Sequence, residues 1–235
     1  MNLYRLGVWL AIFTATAWGT VPLPPDGELL KVLRARLPSH GDAAERKVTR
    51  VGNRTIEFES WVSTEADFGD AKEILADWDH YGDWVLANIN KKPSGGNYLV
   101  QILDLKPAAG QKDTVVTTVK IDLPLFQHEL QCVLKLKSMG TPEAFTLIGD
   151  ISGMTGTYIE NVEAVLKMFP VEKTTNRAWI YVKGLVKLKN WLLYEAMPER
   201  MLKSETGQRI QTIVDNYLKE ESRRRLARAP STKKR

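Results

Sequence analysis

Ile74-Leu75-Ala76-Asp77-Trp78-Asp79-His80-Tyr81-Gly82-Asp83-Trp84-Val85 holds an apolar pattern that changes period within twelve residues. Phe68, Ala71, Ile74, Leu75 and Trp78 recur at helical spacing, with Ser63 or Thr64 placed to cap the segment and Asp67 near its first turn. Gly82 then interrupts the pattern, and Trp84 and Val85 resume it. The spacing predicts two short helices with a bend between them.

Immediately before this bend, Ile56, Phe58, Ser60 and Val62 alternate with Glu57, Glu59 and Trp61 over 55–62, the period of a half-buried strand. After it, the Lys-Lys-Pro-Ser-Gly-Gly turn at 91–96 opens a series of period-2 or β-branched stretches at 97–106, 113–123, 128–138, 143–151, 158–169 and 178–188. Pro107 to Asp113, Pro124, Gly140 to Pro142, Ser152 to Gly156 and Pro170 to Asn176 separate them. Six consecutive strands with short connections predict an antiparallel meander. A long helix is expected over roughly 190–225, with Pro198 at a kink or in its first turn. Met197, Met201, Leu202, Ile210, Ile213, Val214, Tyr217 and Leu218 form one broad stripe on it. A helix so long and so amphipathic needs a large apolar surface to lie on, and the meander offers one.

The order strand, short helices, meander and long terminal helix resembles the START-like superfamily of lipid-transfer, polyketide-cyclase-like and related ligand-binding domains. Residues 74–85 carry the resemblance, being similar to that family's segment of Leu, then Asp with an aromatic, then Tyr-x-x-Trp. The hairpin at Asp150-Ile151-Ser152-Gly153-Met154-Thr155-Gly156 and the Met197-Pro198-Glu199 helix start are similar to its later landmarks. The resemblance covers about 54–220 and implies an α+β helix-grip fold: a curved antiparallel sheet of about seven strands wrapped around the C-terminal helix. It also implies a hydrophobic ligand, a lipid above all, between sheet and helix. The residue types that would line such a cavity are aromatic and methionine side chains, which give large and adaptable apolar contact. Trp78, Tyr81, Trp84, Tyr98, Phe126, Met168, Trp179, Met197 and Met201 are the candidates, although such residues taken singly are more often ordinary core. Gating is expected at loops 82–96 and 152–157.

The ends read differently from this domain. Residues 1–19 have Arg5, an apolar run from Leu6 to Phe13 and a small-residue Ala15-Thr16-Ala17 end, the pattern of a secretory signal peptide or of a marginal signal anchor, and so of a periplasmic or secreted body. Residues 20–53 read as a Pro-rich linker with a short helix over Glu28 to Leu37. Residues 221–235 form a basic tail, read either as a solvated end or as a contact with an anionic membrane surface.

Composition bounds the alternatives. The 235 residues are 43% apolar and 26% charged, with a mean hydropathy of -0.26, which excludes a multi-span membrane protein and wholesale disorder. The net charge of +5 sits in the tail, since eight Lys and Arg from Lys219 to Arg235 face only Glu220 and Glu221, so the body has no basic face for nucleic acid. A single cysteine, Cys132, forbids an intrachain disulfide and a cysteine-built zinc site, and His40, His80 and His128 have no metal-ligand spacing. No cofactor or metal is expected. Asp77 and His80, three residues apart, are the one candidate acid/base pair; Asp104, Asp122 and Glu129 lie on different strands. Asn53-Arg54-Thr55 matches the glycosylation acceptor pattern. Three functions compete: a carrier or sensor of a hydrophobic molecule, a cyclase- or hydrolase-like enzyme on the same scaffold, and an interaction module whose core is filled.

Overall fold

A computed structural model describes residues 21–37, 43–64, 67–98, 100–123, 126–152, 159–171, 177–189, 194–195 and 199–228. The expected signal peptide at 1–19, Met197, Pro198, most of the 152–157 loop and the end of the basic tail lie outside them.

The first helix, α1, spans Asp26–Arg36. Strands β1 (Ala43–Arg50) and β2 (Thr55–Thr64) follow, then the helix α2 (Phe68–Ala76), a single 3-10 turn (Trp78–His80) and the short helix α3 (Tyr81–Trp84). The meander is β3 (Val100–Pro107), β4 (Thr114–Leu123), β5 (Phe126–Gly140), β6 (Phe145–Ser152), β7 (Ile159–Pro170) and β8 (Ala178–Leu188), and α4 (Glu199–Arg228) ends the fold. All strands pair antiparallel in one curved sheet of order β1-β2-β8-β7-β6-β5-β4-β3. This is the helix-grip arrangement, with eight strands where about seven were expected. The additional strand is β1, whose residues were read as linker.

The bend at 74–85 forms as its sequence predicts, with one change at its start. Ser63 and Thr64 remain in β2, and Asp67 caps α2 instead, its Oδ1 accepting from the Gly69 and Asp70 backbone N–H groups at 2.8 and 3.2 Å. Gly82 is required by close packing: a Cβ there would stand 2.5 Å from the Leu105 carbonyl oxygen, so only glycine lets α3 lie against β3.

Strand alternation divides the core. Val62, Leu136, Phe145, Met168, Ala178 and Ile180 face one way and meet Ile74 of α2, Trp84 of α3 and Ile213, Val214, Tyr217 and Leu218 of α4. Two smaller clusters, Val48 with Ile56 and Leu188, and Leu130 with Cys132, extend this inner face. In the sheet's middle the Phe58 ring covers Gly184, where a Cβ would come within 2.1 Å of it. Trp61, Phe169, Trp179 and Tyr181 point the other way, onto Leu29, Leu33 and Leu37. So α1 is a cover for the outer face of β2, β7 and β8. Arg36 strengthens it by stacking 4.4 Å from the Trp61 ring centroid and pairing with Glu45 at 3.0 Å, and Lys167 of β7 pairs with Asp26.

Because Leu33 has no exposed surface, Leu33→Ala is expected to cost about 2–5 kcal/mol of unfolding free energy. Urea denaturation of the full chain measures it; a loss near zero would return α1 to the status of a linker.

Candidate functional site

The bend at 74–85 sits between the sheet's inner face and the second half of α4, and it brings several of the expected lining residues together. Tyr81, Trp84 and Met168 are buried in the same cluster, with Trp78 packed against it. Tyr81 stacks edge-on against Trp84 at 5.3 Å between centroids, and Trp84 against Tyr217 at 6.3 Å. The Tyr81 hydroxyl donates to the Leu75 carbonyl, which closes the bend on itself, and burial pushes its phenol well above the ordinary range.

The other candidates divide. Tyr98 is 1% exposed but stands apart from this cluster, on the side of α4 nearer its start: its hydroxyl donates to Gln208 Oε1 at 3.1 Å and Arg209 stacks over its ring at 4.5 Å. Trp179 is not on the inner face. It belongs to the outer cluster under α1, because its neighbours Ala178 and Ile180 take the inward positions of β8. Phe126 opens β5 and Met201 lies in the first turn of α4, with their side chains outside what is described; Met197 lies outside altogether. Tyr217 also joins this cluster; it falls on the expected α4 stripe but was not among the expected lining residues.

Loop 85–98 is bound to α4 and to β3. Asn216 Nδ2 donates to the carbonyls of Val85 at 3.3 Å and Ala87 at 2.7 Å, and Asn90 both donates to the Ile102 carbonyl and accepts from the Ile102 N–H. A displacement of α4 therefore drags this loop or breaks three side-chain hydrogen bonds.

The candidate acid/base pair does form, with His80 Nδ1 2.8 Å from Asp77 Oδ1. It faces solvent, however, since the His80 side chain is 61% exposed, and Asp77 is engaged twice. Its Oδ2 accepts from Arg224 Nη2 at 2.7 Å, and burial of the carboxyl, which opposes ionisation, is outweighed by the His80 and Arg224 hydrogen bonds that hold it ionised below the usual range. The pair thus belongs to an ionic clamp joining α4 to α2 and the bend. Glu220 accepts from Arg223 and Arg224 at 2.6–2.7 Å, and Arg228 reaches Asp70 and Glu73, each at 2.6 Å. The last helix, expected to end near residue 225, runs to Arg228, and Arg223, Arg224, Arg225 and Arg228 of the basic segment pair with carboxylates. Among the described residues no helix is long and apolar enough to cross a membrane, and no group of His, Cys, Asp and Glu is gathered to hold a metal.

No protein-family model and no curated protein matches this sequence. Solved structures do match in fold. A conserved protein from Geobacillus kaustophilus aligns at 12% identity with a TM-score of 0.48, over 71% of this chain and 95% of its own. The Zhui aromatase/cyclase from Streptomyces sp. R1128 aligns at 13% and 0.47, over 75% and 98%. A START superfamily protein from Mycobacterium smegmatis aligns at 10% and 0.42, over 78% and 99%. These are likenesses of architecture.

Hydrogen bonds from Arg223, and then from Arg224, hold the 7% exposed Glu220 carboxyl down at about 2. A folded value below the ordinary 4.5 adds stability that is complete above 4.5 and vanishes as the pH falls through the folded value. Glu220→Gln is therefore expected to cost about 1.5–3 kcal/mol at neutral pH, the range for hydrogen bonds to a charged group. Urea unfolding of both proteins at neutral pH and at about pH 3 checks the sign, since the gap must narrow in acid.

Proposed function

We propose that this chain is an exported carrier or sensor of a hydrophobic small molecule, a lipid by preference, which it holds between the inner face of the sheet and α4 without covalent chemistry. The observation that carries this reading is the convergence of Trp78, Tyr81, Trp84 and Met168, from the bend and from β7, on one apolar cluster against α4. Desolvation drives the binding: at about 25 cal/mol per Å² of apolar surface removed from water, a lipid-sized ligand needs no charge pair to reach useful affinity. Export rests on the composition of residues 1–19. A role for the tail on an anionic membrane surface falls to Lys233, Lys234 and Arg235, because Arg223, Arg224, Arg225 and Arg228 are paired within the fold.

The competing reading as an enzyme finds little support in the one dyad available, since Asp77 is held by Arg224 and His80 projects into solvent.

Native mass spectrometry of the full chain, gently purified from its own host, is the direct test. A mass above that of the polypeptide, which extraction into organic solvent removes and identifies as a hydrophobic compound, is the expected result. The bare polypeptide mass, with no uptake on mixing with the host's lipid extract, would leave a filled core and overturn the carrier reading.

A further inference from the structure

Glycine is the weakest helix former after proline, because no side chain restricts its backbone in the unfolded chain. The 30 residues of α4 contain one glycine, Gly207, and Ser204 and Thr206 beside it are weak formers too. The other stretch of poor propensity, Ile210 to Val214, has a reason in packing, since Ile213 and Val214 lie against the inner core. Next to the glycine the ladder is disturbed again: the Thr212 hydroxyl donates to the Gln208 carbonyl at 3.0 Å, a back-bond of the kind that bends helices.

The described fixings of α4 begin immediately after Gly207. Gln208 and Arg209 meet the hydroxyl and ring of Tyr98, Asn216 holds the Val85 and Ala87 carbonyls, and Arg224 and Arg228 hold Asp77 and α2. Loop 85–98 is in turn pinned to β3 by the two Asn90 bonds to Ile102, at 2.7 and 2.8 Å. It is stiffened by bonds of its own, from the Tyr98 N–H to the Asn90 carbonyl at 2.9 Å and from the Lys92 N–H to the Gly96 carbonyl at 3.0 Å. The loop, β3 and α4 from Gln208 onward therefore form one frame. A swing of the whole helix breaks these bonds together, whereas a break at Gly207 spares every one of them.

We propose that α4 hinges at Gly207 and that the segment from Glu199 to Thr206 is the gate of the ligand site, with loop 85–98 a fixed part of its frame in place of the gating expected there. The hinge is a property of the fold alone; its use as a gate rests on the carrier reading.

Residue-resolved hydrogen exchange of the ligand-free full chain tests the hinge without any variant. The N–H groups of Gly207 to Ile210 bond to the carbonyls of Lys203 to Thr206, across the hinge. They are expected to exchange at least about tenfold faster than those of Ile213 to Glu221, and no slower than those of Lys203 to Thr206. A rate that falls steadily from the start of the helix is simple fraying and overturns the inference. The gate is tested by stopped-flow uptake and release of the apolar fluorophore phenylnaphthylamine. Gly207→Ala is expected to slow both about fivefold at unchanged affinity, the factor that about 1 kcal/mol of helix propensity supplies, because it stabilises the closed helix equally with and without a guest. Asn90→Ala, which frees the loop from β3, is expected to change neither rate. Faster exchange of the fluorophore in Asn90→Ala, or unchanged rates in Gly207→Ala, would make the loop the gate and overturn the proposal while leaving the carrier reading intact. A fluorophore that never binds counts against the carrier reading, and the hydrogen-exchange profile still decides the hinge.

Discussion

Met168 and Phe169 are neighbours on β7, point to opposite faces of the sheet, and are both almost fully buried. Ile180 and Trp179 repeat the arrangement on β8, and Val62 and Trp61 on β2. Three adjacent strands buried on both faces are the constraint from which the architecture follows. One face must find the last helix and the bend, the other must find α1, and the strands between them cannot slip by one residue without exchanging the two cores. The meander strands farther out escape this constraint. Lys135 and Lys137 alternate with Leu134 and Leu136 on β5, which therefore carries only an inner core.

The two covers are held by different means. α1 is short, and an isolated helix of 11 residues is marginal in water, so it persists through Leu29 and Leu33 on the sheet and through pairs at its two ends. α4 adds polar fixings along its length to its apolar contacts: Gln208 and Arg209 at Tyr98, Asn216 at the loop carbonyls, and the arginines from Arg223 to Arg228 at the carboxylates of α2, the bend and α4 itself. Most of these ion pairs are half-exposed, where each alone contributes little; their effect is to fix the angle at which the helix crosses the bend. Glu220, buried and shared by two arginines, is the exception.

Much of this was legible in the sequence because it depends on local pattern. The six meander strands, the bend and the last helix all have a period that a neighbouring residue either keeps or breaks. What was illegible depends on partners. Ala43–Arg50 contains four charged residues, and of the side chains described there only Val48 is buried; it is a strand because β2 offers it a ladder, and no period announces that. Trp179 carries no mark of the face it takes, since Trp and Ile both bury large apolar surface and both faces of β8 are buried. Ser63 and Thr64 are good capping residues, yet the pairing of β2 with β8 reaches through Thr64, and the cap passes to Asp67. The arginines after 222 look like a solvated tail until Asp70, Glu73 and Asp77 are seen to lie beside them.

The same distinction explains why the expected lining was half right. Trp78, Tyr81, Trp84 and Met168 converge because the bend is short and must pack as a unit, so a list drawn from its aromatics captures a real neighbourhood. Tyr217 completes that neighbourhood from the apolar stripe of α4. An apolar cluster by itself is compatible with a filled core as well as with a guest. Buried donors without a partner among the described residues do not by themselves separate the two, because the indoles of Trp61 and Trp179 lack one as well on the outer face that α1 fills.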